Sequence, residues 1–192
     1  MAAQLPRALD IYYNSSLSKK NLYLTQHNSN AQLFTVENRS GGFLSPAQLI
    51  VFTPGRRPTV IGTATFHKMS SDIELSVRGH AQTVRRHGMF SRPYAMRSAA
   101  TGTALEWKTT AFSSDLTLTD PKTGQVLGKF SRASFSLKKQ GTLEINAMGN
   151  QRLFEEILVS GLGVVEARRR AAAAHSSAAA ASNASMAASA SA

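Results

Sequence analysis

The segment from Leu153 to Ala167, LFEEILVSGLGVVEA, constrains the fold more than any other part of the chain. Asn150 stands where an N-cap belongs, Glu155 and Glu156 lie near the positive end of the helix dipole, and Arg168, Arg169 and Arg170 lie at its negative end. Between these markers Leu153, Phe154, Ile157, Leu158, Val159, Leu162, Val164 and Val165 circle the axis and do not keep to one stripe. A helix that is apolar all round is buried all round. Gly161 and Gly163 each cost about 1 kcal/mol relative to Ala in a helix interior. Close packing explains that cost; a surface helix would have no use for it. The rest of the chain must therefore enclose this helix.

What precedes it is dense in strand signals. NLYLTQ (21–26), QLFTVEN (32–38), QLIVFT (48–53) and TVIGTATF (59–66) come first, followed by DIELSV (72–77), in which Ile73, Leu75 and Val77 share a face. Further runs span 81–86, 103–109, 116–119, 125–130 and 142–147. Asp120-Pro121-Lys122-Thr123-Gly124 is a strong turn, since Pro presets φ and Gly accepts a positive φ. About ten short strands at near-regular spacing, with no helices between them, point to a barrel or sandwich. Residues 1–20 read as a loosely ordered lead-in, 21–170 as the folded domain, and 171–192, almost entirely Ala and Ser, as a disordered tail that extends the helix by about one turn.

This order of elements resembles the tubby C-terminal-like superfamily, which includes tubby domains, phospholipid scramblases and LURP-one-related proteins. The resemblance covers about Leu22 to Arg170 and rests on strand order, on DPKTGQVLGKF (120–130) and on LFEEILVSGLGVVEARRR (153–170). Its overall look is closest to the short fungal tubby-like domains of unknown function. It implies a mainly β fold (α+β by count): a closed antiparallel barrel of about ten to twelve strands around a central apolar C-terminal helix. In that arrangement Leu153, Phe154, Ile157, Leu158, Gly161, Leu162 and Val165 are structural, and any ligand site lies on the outside. Tubby domains bind phosphoinositides through paired basic side chains on neighbouring strands, but no binding residue aligns well enough to be carried over.

Charge gives the resemblance a direction. With 22 Lys and Arg against 11 Asp and Glu, the net charge is +11, which favours anionic partners. The chain has no cysteine, so disulfides, thiolate catalysis and cysteine metal sites are excluded. No apolar leader follows the N-terminus, and the longest uncharged apolar stretch, 157–165, falls short of the roughly 20 residues that span a bilayer. The expected location is cytoplasmic, peripheral at a membrane, with the nucleus also open.

The strongest functional signal lies between Glu74 and Glu106, where Arg78, His80, Arg85, Arg86, His87, Arg92 and Arg97 occur with no carboxylate among them. Met89, Phe90 and Tyr94 interleave with these cations in a loop around Gly88 and Pro93. Guanidinium groups bind phosphate bidentately, and apolar neighbours can enter a lipid interface. Arg78, Arg85, Arg86, Arg92 and Arg97 are therefore the expected headgroup ligands. The pairs Lys19-Lys20, Arg56-Arg57 and Lys138-Lys139 read as solvated turn charge, and Trp107 as core.

Nothing points to catalysis or to a cofactor. The five histidines lack metal-ligand spacing, and nucleophile-elbow, P-loop and zinc-helix motifs are all missing. The expected function is a non-enzymatic binding domain for acidic phospholipid or phosphoinositide headgroups. A protein-interaction or scaffold domain is the alternative, and nucleic-acid binding, for which no motif is present, ranks third. One contiguous face holding the five arginines would favour the first reading; their scattering would favour the second.

Overall fold

The computed structural model describes residues 8–14, 21–42, 45–86, 93–110, 113–147 and 149–189, and only the backbone beyond residue 177. Twelve strands form the wall: β1 (Ala8–Tyr13), β2 (Leu22–Gln26), β3 (Gln32–Arg39), β4 (Ala47–Phe52), β5 (Val60–Phe66), β6 (Ile73–Val77), β7 (His80–Arg86), β8 (Tyr94–Arg97), β9 (Ala104–Thr109), β10 (Leu116–Thr119), β11 (Val126–Arg132) and β12 (Lys139–Ile145). Each pairs antiparallel with its sequence neighbours, and β1 pairs with β12, so the barrel is closed and no edge strand is left over. A single helix, α1 (Gln151–Ser189), follows β12.

The helix fills the barrel. Residues 153–164 are all buried, as the all-round apolar pattern requires. Phe154 packs on Phe34 of β3, with ring centroids 6.2 Å apart, while Ser160 accepts a 3.1 Å hydrogen bond from Trp107 Nε1 of β9. Strands β3 and β9 are six apart in a ring of twelve, so the helix touches opposite walls. Wall side chains alternate accordingly: Ile73, Leu75 and Val77 face in, Glu74 and Ser76 face out.

Gly161 lets Trp107 reach the helix, since a Cβ there would lie 3.0 Å from the indole Cζ2. At Gly163 a Cβ would stand 3.2 Å from Ala64 Cβ. Close approach is thus what both helical glycines supply. Asn150 caps the helix: its Oδ1 accepts from Leu153 N–H at 3.0 Å, and its carbonyl from Phe154 N–H at 3.0 Å.

Three segments depart from the sequence reading. Ala8–Tyr13, assigned to the lead-in, is the strand that closes the barrel, with Leu9 and Ile11 wholly buried. Its inward positions Leu9 and Ile11 are too few to announce a strand between Pro6 and the Ser/Lys-rich stretch at 15–20. Tyr94–Arg97, assigned in part to a loop, is β8; four residues after a proline carry too little pattern to announce a strand. The Ala/Ser tail continues α1 to Ser189, because no Gly or Pro after Gly163 stops it and Ala is the strongest helix former.

An up-and-down wall has two ends. Asn150 and the turns β2–β3, β4–β5, β6–β7, β8–β9 and β10–β11 form the cap end, and the helix leaves at the mouth, where the β5–β6, β9–β10 and β11–β12 turns lie.

Candidate functional site

The structure distributes the five expected arginines over different environments. Arg78 occupies the β6–β7 turn at the cap end with φ 48° and grips Glu155 through two bonds, Nε to Oε2 at 2.9 Å and Nη2 to Oε1 at 2.8 Å. Glu155 is only 3% exposed. Burial pushes its carboxyl up, but the bonds from Arg78 and Gln151 outweigh burial and hold it below the usual carboxylate range. Arg78 is thus committed to the fold.

Arg86 shares the inward face of β7 with Val84. Its guanidinium carbon lies 5.8 Å from the Tyr94 ring centre, and its main-chain N–H donates to Asp72 Oδ1 at 3.1 Å. Arg85 and Arg97 are exposed on the outer wall and line one open cavity of about 1040 Å³. Arg92 lies outside the described residues, as do His87, Met89, Phe90 and the Lys19-Lys20 pair. The described arginines therefore form no single basic face; only Arg85 and Arg97 come together. On the outer wall of β6, Glu74 meets His67 Nε2 at 3.0 Å.

A different cluster gathers at the mouth. Four strands, the β9–β10 and β11–β12 turns and the departing helix bound a cavity of about 320 Å³ whose lining includes Arg132, Lys139, Arg168 and Arg169. Arg168 Nη1 donates to the Ser114 carbonyl at 3.2 Å, and the main-chain N–H of Arg132 donates to Asp115 Oδ1 at 3.0 Å. Arg169 and Arg170 both reach Glu166 at 2.7 Å, and Arg170 also stacks 4.6 Å from the Phe66 ring centre. Lys139 Nζ lies 2.8 Å from Asp10 Oδ1.

Asp10 also accepts from His27 and Thr142. Burial pushes its carboxyl up, yet Lys139, His27 and Thr142 together hold it below its ordinary value.

The same end carries the most exposed large apolar side chains among the described residues. Phe135 is fully exposed and Leu137 is 82% exposed on the β11–β12 turn, and Met69 is 98% exposed on the β5–β6 turn. Phe135 sits at φ 63°, a region that non-glycine residues seldom occupy. Exposed Lys138 follows directly. The signal for this site was present in sequence: FSLKK (135–139) sets two apolar residues beside two lysines in a turn. Reading Lys138-Lys139 as ordinary solvated charge passes over the apolar pair.

The fold defines a closed twelve-stranded barrel plugged by its own C-terminal helix. Comparison with protein-family models, with curated proteins and with solved structures gives no match, so the tubby resemblance stands on the strand-and-helix pattern alone.

Proposed function

We propose that this chain is a non-enzymatic, tubby-like binding domain that docks on acidic phospholipid through the mouth of its barrel. The observation that carries this reading is the coincidence of exposed Phe135, Leu137 and Met69 with Arg132, Lys138 and Arg168 at one end. Each apolar side chain fully buried in an acyl boundary is worth about 1.5–3 kcal/mol. Each cation near an anionic surface adds about 1 kcal/mol. A left-handed backbone at Phe135, which costs a bulky residue stability, is the kind of strain retained where a side chain must be presented.

The wall itself is polar where Thr63, Thr65, Glu74 and Ser76 face outward, and no described helix is long and apolar enough to cross a bilayer. Contact with lipid therefore runs through an end of the barrel. In this orientation Phe135 and Leu137 enter the interface while Arg132, Lys138 and Arg168 meet headgroup phosphates, guanidinium bidentately and ammonium as a point charge.

Vesicle flotation tests it. Binding is expected to vesicles of phosphatidylcholine containing phosphatidylserine or phosphoinositide, and to weaken with salt, because the Debye length is only ~8 Å at physiological ionic strength. Equal binding to acidic and to pure phosphatidylcholine vesicles at low salt would sink the proposal.

A further inference from the structure

The barrel is sealed unevenly. Strand β6 pairs with β7 at five positions, Ile73↔Val84 through Val77↔His80, but β7 pairs with β8 only at Arg85↔Ala95 and Arg86↔Tyr94. Arg78-Gly79 is a two-residue turn, with φ 48° and 81°, so Val77 and His80 form a hydrogen-bonded pair. By antiparallel alternation Leu75–Gln82 and Ile73–Val84 are bonded pairs as well, and the main-chain groups of Ala81 and Thr83 point the other way, toward β8. On β8, the Ser98 N–H bond to the Thr103 carbonyl at 2.9 Å fixes the same alternation, so the main chain of Arg97 faces β7. The ladder that would join Thr83 to Arg97 is not made.

The cavity of about 1040 Å³ opens over this seam, lined from both sides by Gln82, Thr83, Arg85, Arg97 and Ser98. Beneath it lie polar atoms that the fold leaves over. Both amide atoms of Gln82 are buried without a partner among the described residues. Glu156, 1% exposed, accepts from Ser98 Oγ with one carboxylate oxygen and has no partner for the other. Buried polar groups in a folded chain are normally satisfied, so a cluster of exceptions under an open seam needs a reason. Arg85 and Arg97 flank the seam on the outer face and have no carboxylate partner among the described residues, while Glu74, in the same cavity, is engaged by His67.

We infer that the seam between β7 and β8 is a docking site for an extended acidic peptide, which adds along β7 as a strand. Its main chain pairs with Ala81 and Thr83. Its alternate side chains, which share the outer face, bring carboxylates to Arg85 and Arg97. Hydroxyl or amide side chains on the other face meet Gln82. This role is independent of the mouth and uses none of its residues.

Amide hydrogen exchange on the full chain gives the first test. The amides of Gln82 and Val84 are expected to be protected and those of Ala81, Thr83 and Arg97 to exchange fast; uniform protection would mean that the seam is closed and overturn the inference. The second test is selection of a random dodecapeptide phage library on the full chain. Expected are sequences with Asp or Glu at alternate positions. Their synthetic forms should protect Ala81 and Thr83, lose affinity on the order of 30-fold or more with Arg85→Glu plus Arg97→Glu, and fail when alternate peptide nitrogens are methylated. Peptides that bind equally well after N-methylation are held by charge alone. That result, like enrichment of sequences without acidic residues, would overturn strand addition. The phosphatidylserine vesicles used for the mouth serve as control, since the Arg85/Arg97 variant should bind them as the parent chain does.

Discussion

At the cap end Arg78 closes over Glu155, Gln151 adds a third bond, and Asn150 satisfies the first turn of the helix, while Arg56 and Arg57 stand exposed on the β4–β5 turn without a carboxylate partner among the described residues. At the mouth the unpaired cations have apolar company. Glu166 serves both Arg169 and Arg170, Lys139 has Asp10, and Arg132, Lys138 and Arg168 are left without a carboxylate partner among the described residues, beside apolar side chains that no neighbour covers. A fold that needed only to neutralise its helix termini could have treated both ends alike. Unpaired cations occur at both ends; the exposed apolar side chains Phe135, Leu137 and Met69 at the mouth are what distinguish a binding face from a structural one.

The largest test of that contrast removes the apolar tips. Phe135→Asp with Leu137→Asp should weaken binding to phosphatidylserine vesicles by about 4 kcal/mol, roughly a thousand-fold, because two side chains no longer transfer to the interface. Urea unfolding should move by less than about 0.5 kcal/mol, since neither side chain is packed in the free protein. A large loss of stability would mean that the turn belongs to the fold and would erase the difference between the ends.

The helix joining the two ends offers the opposite outcome. A side chain at Gly161 would run into Trp107 and Leu143, so Gly161→Val should cost about 3 kcal/mol of stability in denaturant titrations. Membrane affinity of the fraction that folds should be unchanged. Next comes Arg78→Ala, which leaves Glu155 buried without its fork. Because Arg78 is itself nearly half exposed, the loss should be about 2 kcal/mol, below that of a fully buried pair. Thermal melts measure it, and vesicle binding should not respond. The mirror variant, Arg132→Gln with Lys138→Gln, should cut vesicle affinity by about 2 kcal/mol and flatten its salt dependence while the melt stays in place.

This division also explains what the sequence could convey. The helix was legible because burial on every side leaves a one-dimensional signature, apolar residues around the whole circumference from Leu153 to Val165. Strands such as Ile73–Val77 were legible for the same reason, through alternation. β1 was hidden because it is a six-residue run between Pro6 and the Ser/Lys-rich stretch at 15–20, and β12, the strand that closes the barrel against it, lies more than a hundred residues away. The candidate site depended on such distant pairings throughout. Whether an arginine is free is decided by the carboxylate beside it, and the partner of Arg78 stands 77 residues down the chain. A basic run in sequence, from Arg78 to Arg97, therefore became a turn clamp, an inward cation and two outer-wall residues.

The smallest effect concerns pH, and it separates the cap end from the wall, through stability. Glu155 at the cap and Asp10 on the wall between the two ends are both held below their ordinary values, by Arg78 and Gln151 in one case and by Lys139, His27 and Thr142 in the other. A carboxyl with a depressed folded-state value binds a proton more readily when unfolded. Its stabilisation is complete above the unfolded value, about 4, and disappears as pH falls past that value and through the lower folded one. The melting temperature should thus be flat between pH 7 and pH 5 and decline by a few degrees below pH 4. Glu155→Gln should remove the cap end's part of that decline and Asp10→Asn the other part, each at the expense of a lower plateau. If only Glu155→Gln flattens the curve, the Asp10 cluster contributes nothing to folding, and holding Lys139 at the rim of the mouth cavity is the role left to it.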